Sequence, residues 1–259
     1  MRNKTGTALT VLLAFGVSAL IGADFPHSSA TVSTDIGGAN VALGSRTARV
    51  AENVNYREDV ERIGDVVLID GRPSAPIEDE RIAAMWDIVD AIWPASLRDD
   101  LRQVSVINEA SRGLVGVVHP ASDGGWILSL DAADVDDREL IEETVVHEIS
   151  HLVTLDSAVF SFETNKCDGR LIPLGCAADG TVLATFADRF WPEGDPSRDP
   201  NDFVNDYAAT AVHEDLAETF TAMVLEWPVN NETVEAKIAL LASDGELALL
   251  AAEILALTG

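Results

Sequence analysis

From residue 65 onward the apolar positions first fall into short blocks and then into helical stripes. DVVLID (65–70) predicts a strand closed by the turn residues GRPSAP. In IEDERIAAMWDIVDAIW (77–93), Ile82, Met85, Trp86, Val89 and Trp93 recur at helical spacing behind an acidic first turn, and Pro94 stops the run. QVSVIN (103–108) predicts a second strand, and LVGVVHP (114–120) and WILSLD (126–131) flank ASDGG as a hairpin. A helix over about 138–155 follows, with Ile141, Val145, Ile149 and Leu152 as its apolar stripe and Thr144, His147, Glu148 and His151 on another face.

Residues 156–206 read as a long connection containing a short helix over 181–191. TAVHEDLAETFTAMVLEW (210–227) predicts a strong helix with Leu216, Phe220, Met223 and Trp227 along one side, ended by Pro228. The tail reads as one or two amphipathic helices broken near Asp244-Gly245, and its acids argue against a membrane span. Strands and one helix come first and helices after, which predicts an α+β domain over 63–259 with the histidine helix at the join.

Composition narrows the setting. The 259 residues are 47% hydrophobic, enough for a sizeable core. A net charge of −27 repels phosphate backbones, so nucleic acid is excluded as a partner. Arg2 and Lys4 precede an uncharged run from Thr5 to Ala23, so residues 1–23 read as an export signal, with an uncleaved membrane anchor as the alternative. Residues 24–62 lack a sustained period and read as a linker or partly ordered segment. The expected setting is secreted or cell-surface, with no membrane partner after signal cleavage. In an exported chain the close pair Cys167 and Cys176 predicts a disulfide clipping a loop.

Chemistry enters at HEISH. His147 and His151 stand about one helical turn apart, so both imidazoles project from one face and can reach one tetrahedral Zn2+ ion. Glu148 lies beside that ion without being needed as a ligand, where it can act as general base. A third ligand must come from farther along. Thr154 and Ser157 exclude a Gly-and-His design directly after the motif, and Asp156 stands one place early for an Asp. Glu214 and Glu218 in NDYAATAVHEDLAETF share a helix face, so Glu214 is the candidate ligand and Glu218 the carboxylate that holds a ligand histidine through its other nitrogen.

HEISH followed by Tyr207, Glu214 and Glu218 at this spacing resembles the gluzincin metallopeptidases. Within them it looks most like the anthrax lethal factor catalytic domain and its secreted bacterial relatives, over about residues 126–227. The resemblance implies a zincin-like fold and one zinc per chain. It also implies a peptide or protein substrate and an active-site role for Tyr207 in stabilising the oxyanion. Its edge strand would border the cleft and pair with extended substrate, and WILSLD is the candidate. No Asn-Glu-x-x-Ser-Asp segment follows the motif, so the thermolysin substrate pocket does not carry over. Two other readings stand beside the peptidase: a zinc hydrolase of non-peptide or cell-wall amides, and a non-catalytic zinc-binding protein on a zincin fold. The second predicts loss of the general base, yet Glu148 is present.

Overall fold

The computed structural model describes residues 61–108, 115–122, 124–192 and 199–258. The expected signal (1–23) and nearly all of the expected linker lie outside the described residues. Strand β1 is Glu61–Ile69, so Glu61 and Arg62, assigned to the linker by their composition, already belong to the sheet. Its side chains alternate, with Val66 and Leu68 buried and Val67 and Ile69 exposed. Asp70 and Gly71 both take positive φ, at 49° and 68°, which forms the tight two-residue turn into β2 (Arg72–Pro73). Part of GRPSAP is therefore strand rather than turn.

Helix α1 (Glu80–Ile92) starts where the Asp79 carboxylate accepts the N–H groups of Arg81 and Ile82 at 2.9 and 3.3 Å. It buries Ile82, Met85, Trp86, Ile88, Val89 and Ile92, and Pro94 follows its end. Strands β3 (Leu101–Asn108), β4 (Gly116–Pro120) and β5 (Trp126–Asp131) complete a five-stranded sheet of order β2-β1-β3-β5-β4. β3 pairs parallel to β5, while β4 and β5 form the expected antiparallel hairpin.

This order corrects one expectation. WILSLD is not the edge strand; it lies between β3 and β4, and the edge on that side is β4. Burial explains the placement. Five of the six β5 residues are buried, which requires cover on both faces and a partner on both sides, whereas β4 contains Pro120, which cannot donate to a ladder.

Helix α2 (Arg138–Thr154), capped by Asp137, carries HEISH and packs on α1 and β4. The approach to β4 is close. A Cβ added at Gly116 would lie 2.5 Å from Thr144 Cγ2, so glycine is required for strand and helix to meet there. Residues 156–206 are not a plain connection. They hold a three-stranded sheet built from Phe160–Ser161 (β6), Arg170–Ile172 (β7) and Gly175–Ala177 (β8), in the order β6-β8-β7, and helix α3 (Val182–Phe190). The Cys167–Cys176 disulfide, with Cα atoms 5.4 Å apart, ties β8 to the loop before β7.

Helix α4 (Val212–Val224) is enclosed, every residue from Val212 to Ala222 being buried. It packs against α2, α3, α5 (Glu232–Ser243) and α6 (Gly245–Thr258). Asp244 separates the last two helices and its carboxylate accepts the N–H of Leu247 at 3.0 Å, so the expected break in the tail is a cap. Among the described residues no helix is long and apolar enough to cross a membrane.

One ion pair anchors this half. Lys237, 1% exposed, places Nζ 2.7 Å from Asp215 Oδ2, 2.6 Å from the Asp202 carbonyl and 4.3 Å from the Phe203 ring centroid. Trp191 Nε1 donates to the same carboxylate at 2.7 Å. Burial pushes the Asp215 carboxyl up, and Lys237 and Trp191 only partly offset it. Replacing Lys237 with Met leaves that buried carboxylate without its cation, with an expected loss of about 3–5 kcal/mol in urea unfolding. The double variant Lys237→Met/Asp215→Leu should recover part of that loss, and a single variant as stable as the parent would show that the pair does not anchor α4.

Candidate metal centre

Every residue of α2 from Thr144 to Leu152 is buried, including the polar ones. The apolar stripe faces the core and the HEISH face meets α4 rather than water. His147 and His151 project from consecutive turns of one helix, and their Nε2 atoms lie 3.0 Å apart. Glu214 reaches across from α4 with Oε2 at 3.1 Å from His147 Nε2 and 3.5 Å from His151 Nε2. The first turn of α4 has no side-chain cap, so its free N–H groups favour the Glu214 carboxylate there.

The distances test whether a metal fits. Tetrahedral zinc at 2.0–2.1 Å from each donor would separate the donor atoms by about 3.3–3.4 Å. The three observed separations, 3.0, 3.1 and 3.5 Å, bracket that figure. Two imidazole nitrogens and a carboxylate oxygen facing one another in a buried space suit a cation between them. Among the described residues, His147, His151 and Glu214 are the group that could hold one.

In the metal-free chain, protons stand in for that cation. Burial alone would lower His147, but its contacts with Glu214 and Glu218 outweigh it and hold the ring well above its usual pKa. Burial pushes His151 down to about 4, against the pull of Glu214. Burial would raise Glu214, yet the three histidines around it, His147, His151 and His213, hold it well below the carboxylate range.

The remaining expected residues surround this triad. Glu148 is fully buried, and burial pushes it up to about 7. Its Oε2 accepts the backbone N–H of Val118 on β4 at 3.0 Å, and its Oε1 has no partner. Glu218 Oε1 lies 2.7 Å from His147 Nδ1; the separation is that of an ion pair, although neither atom has hydrogen-bond alignment to a partner. Tyr207 is half-buried, with its ring centroid 5.8 Å from that of His147.

Three contributors went unrecognised in the sequence. Val118 acts through its backbone, and nothing in its side chain signals the contact. Asn205 donates from Nδ2 to Glu218 Oε2 at 2.5 Å and accepts the Ala208 N–H at 2.9 Å, so it ties the carboxylate to the turn after Tyr207. His213 lies beside Glu214, and its one available signal was adjacency to that residue.

No family model matches the chain, and no curated protein matches it. Among solved structures, a candidate zinc-binding metallo-peptidase from Bacteroides caccae is 15% identical with a TM-score of 0.37, over 70% of this chain and 79% of that one. At that level of likeness, the chemistry rests on the chain's own residues.

The position of Glu148 has a pH consequence for the metal-free protein. Its carboxyl titrates near 7 in the fold against 4.5 unfolded, so between those values the native state binds more protons and its stability falls as pH rises. Glu148→Gln removes this titration and can still accept from Val118. In urea unfolding of chelator-treated protein, the Gln variant should gain over the parent on going from about pH 5 to about pH 8, by on the order of 3 kcal/mol at full effect. A difference that does not change with pH would show that Glu148 is not held protonated by the fold.

Proposed function

We propose that this chain is an exported zinc metalloendopeptidase of the gluzincin type. The observation that carries the reading is the convergence of His147 Nε2, His151 Nε2 and Glu214 Oε2 within 3.0–3.5 Å beside the unpartnered Oε1 of Glu148. In this reading the first three residues hold zinc, and Glu148 stays outside the ligand set. Zinc, when bound, supplies a Lewis acid that polarises a carbonyl and makes water nucleophilic at neutral pH.

The chain's own groups do the rest. Glu148 takes a proton from the attacking water and passes it to the leaving amine. The Val118 N–H holds one of its oxygens, which leaves the other to work. Glu218 braces His147 from behind, and Asn205 braces Glu218. Tyr207 donates its phenol to the oxyanion.

An extended substrate would lie along the outer edge of β4, where no further strand pairs among the described residues and where Glu148 already takes the Val118 N–H. The Cys167–Cys176 disulfide supports an oxidising compartment and hence export.

Replacing Glu148 with Ala should abolish cleavage of a peptide library while metal analysis still finds about one zinc per chain, because the base is not a ligand. Loss of zinc in that variant, or cleavage at the parent rate, would overturn the assignment. A library that the zinc-loaded parent leaves intact while it opens cell-wall amides would move the substrate to that class.

Tyr207→Phe keeps the ring and removes the donor. Turnover is expected to fall about 10²–10³-fold with zinc affinity unchanged. Unchanged turnover would leave Tyr207 a packing residue.

A further inference from the structure

One buried histidine is unused by this mechanism. His213 immediately precedes Glu214 on α4 and is 8% exposed. Its Nε2 lies 3.3 Å from Glu214 Oε1, while Glu214 faces His147 and His151 through Oε2. The two oxygens of one carboxylate are thus divided between different partners. His213 Nδ1 is buried and has no partner. The Glu214 carboxylate oxygen is the acceptor in reach of Nε2, at the separation of an ion pair.

His213 is not itself a member of the group that could hold an ion. Consecutive helical residues point about 100° apart, and the His213 ring reaches Glu214 with its centroid 6.0 Å from that of His151. We infer that His213 is a positioning residue that holds Glu214 by Oε1 and thereby commits Oε2 alone to the metal. This rests on the zinc reading above and extends it.

The physical reason has two parts. Without His213, Oε1 loses the ring nitrogen that approaches it. The carboxylate could then turn both oxygens toward the histidine pair and fill the position that a catalytic zinc keeps open. His213 behind Glu214 and Glu218 behind His147 would brace the site from two sides, each fixing one ligand through its far atom.

The test uses the full chain and zinc alone. His213→Phe keeps a ring of similar size without a donor; His213→Gln extends an amide N–H to the place of Nε2. Zinc affinity is measured by competition with a chromophoric chelator, and thermal unfolding is followed on the metal-free proteins. The Phe variant should bind zinc about 10–100-fold more weakly, and the Gln variant should recover most of that loss. Thermal unfolding of the metal-free proteins checks that each variant is folded, and recovery of zinc affinity by the Gln variant, which has no ring, separates a donor role from a packing role.

If the Phe variant does not fold, His213→Asn, whose amide stops short of Glu214, takes its place with the same expectation. A Phe or Asn variant that binds zinc as tightly as the parent overturns the inference, as does a Gln variant as weak as Phe. A parent chain that takes up no zinc overturns the metal-centre reading itself, so the two failures are distinguishable.

Discussion

Along the seam between α2 and α4, two imidazoles and three carboxylates are withdrawn from water together. His147, Glu148, His151, Glu214 and Glu218 are all buried, none more than 4% exposed. Isolated charges at such depth are costly, so the group is stable only with its charges mutually compensated. In the metal-free chain the compensation is by protons, with His147 held above its usual range, Glu214 below it, and Glu148 near 7. A dication at the centre of the donor atoms would do the same work without protons. The seam is therefore a buried cluster of charge-bearing groups arranged as a cation would require.

The rest of the molecule can be understood as holding that seam in register. Gly116 lets β4 approach α2 closely enough for the Val118 N–H to reach Glu148. On the far side, α4 is fixed in rotation by two neighbouring carboxylates that face different ways. Glu214 meets the histidines of α2, and Asp215 meets Lys237 of α5 and Trp191 after α3. A turn of α4 about its axis would break both networks at once. Buried ion pairs contribute little net stability against apolar replacements, so the worth of Lys237–Asp215 lies in specifying this one orientation.

Much of the local architecture was legible before any coordinates. The helices around HEISH and around Glu214, the hairpin about ASDGG, the break at Asp244 and the Cys167–Cys176 pairing depend on spacing, caps and turn residues within a few positions of one another. The strand order was not legible. Hairpin pairing says that β4 and β5 are neighbours, but it does not say which one β3 joins. The signals that decide it, Pro120 in β4 and unbroken apolar character in β5, are weak until the partner is known. The small sheet within 156–206 was missed because strands of two and three residues carry no period.

The sequence alone determined the donor types and their local geometry: two histidines one helical turn apart, a glutamate beside them, and a second helix carrying carboxylates at the same spacing. Those relations are set by the pitch of a helix, which any few residues report. Only the tertiary structure decided that Glu214, and not another acid, meets the pair, that β4 supplies a backbone donor to Glu148, and that His213 and Asn205 stand behind the carboxylates. Each of these joins residues from different elements or depends on how α4 is rotated in its packing. Packing settles them by removing water from one particular set of polar atoms, and that selection is a property of the assembled core.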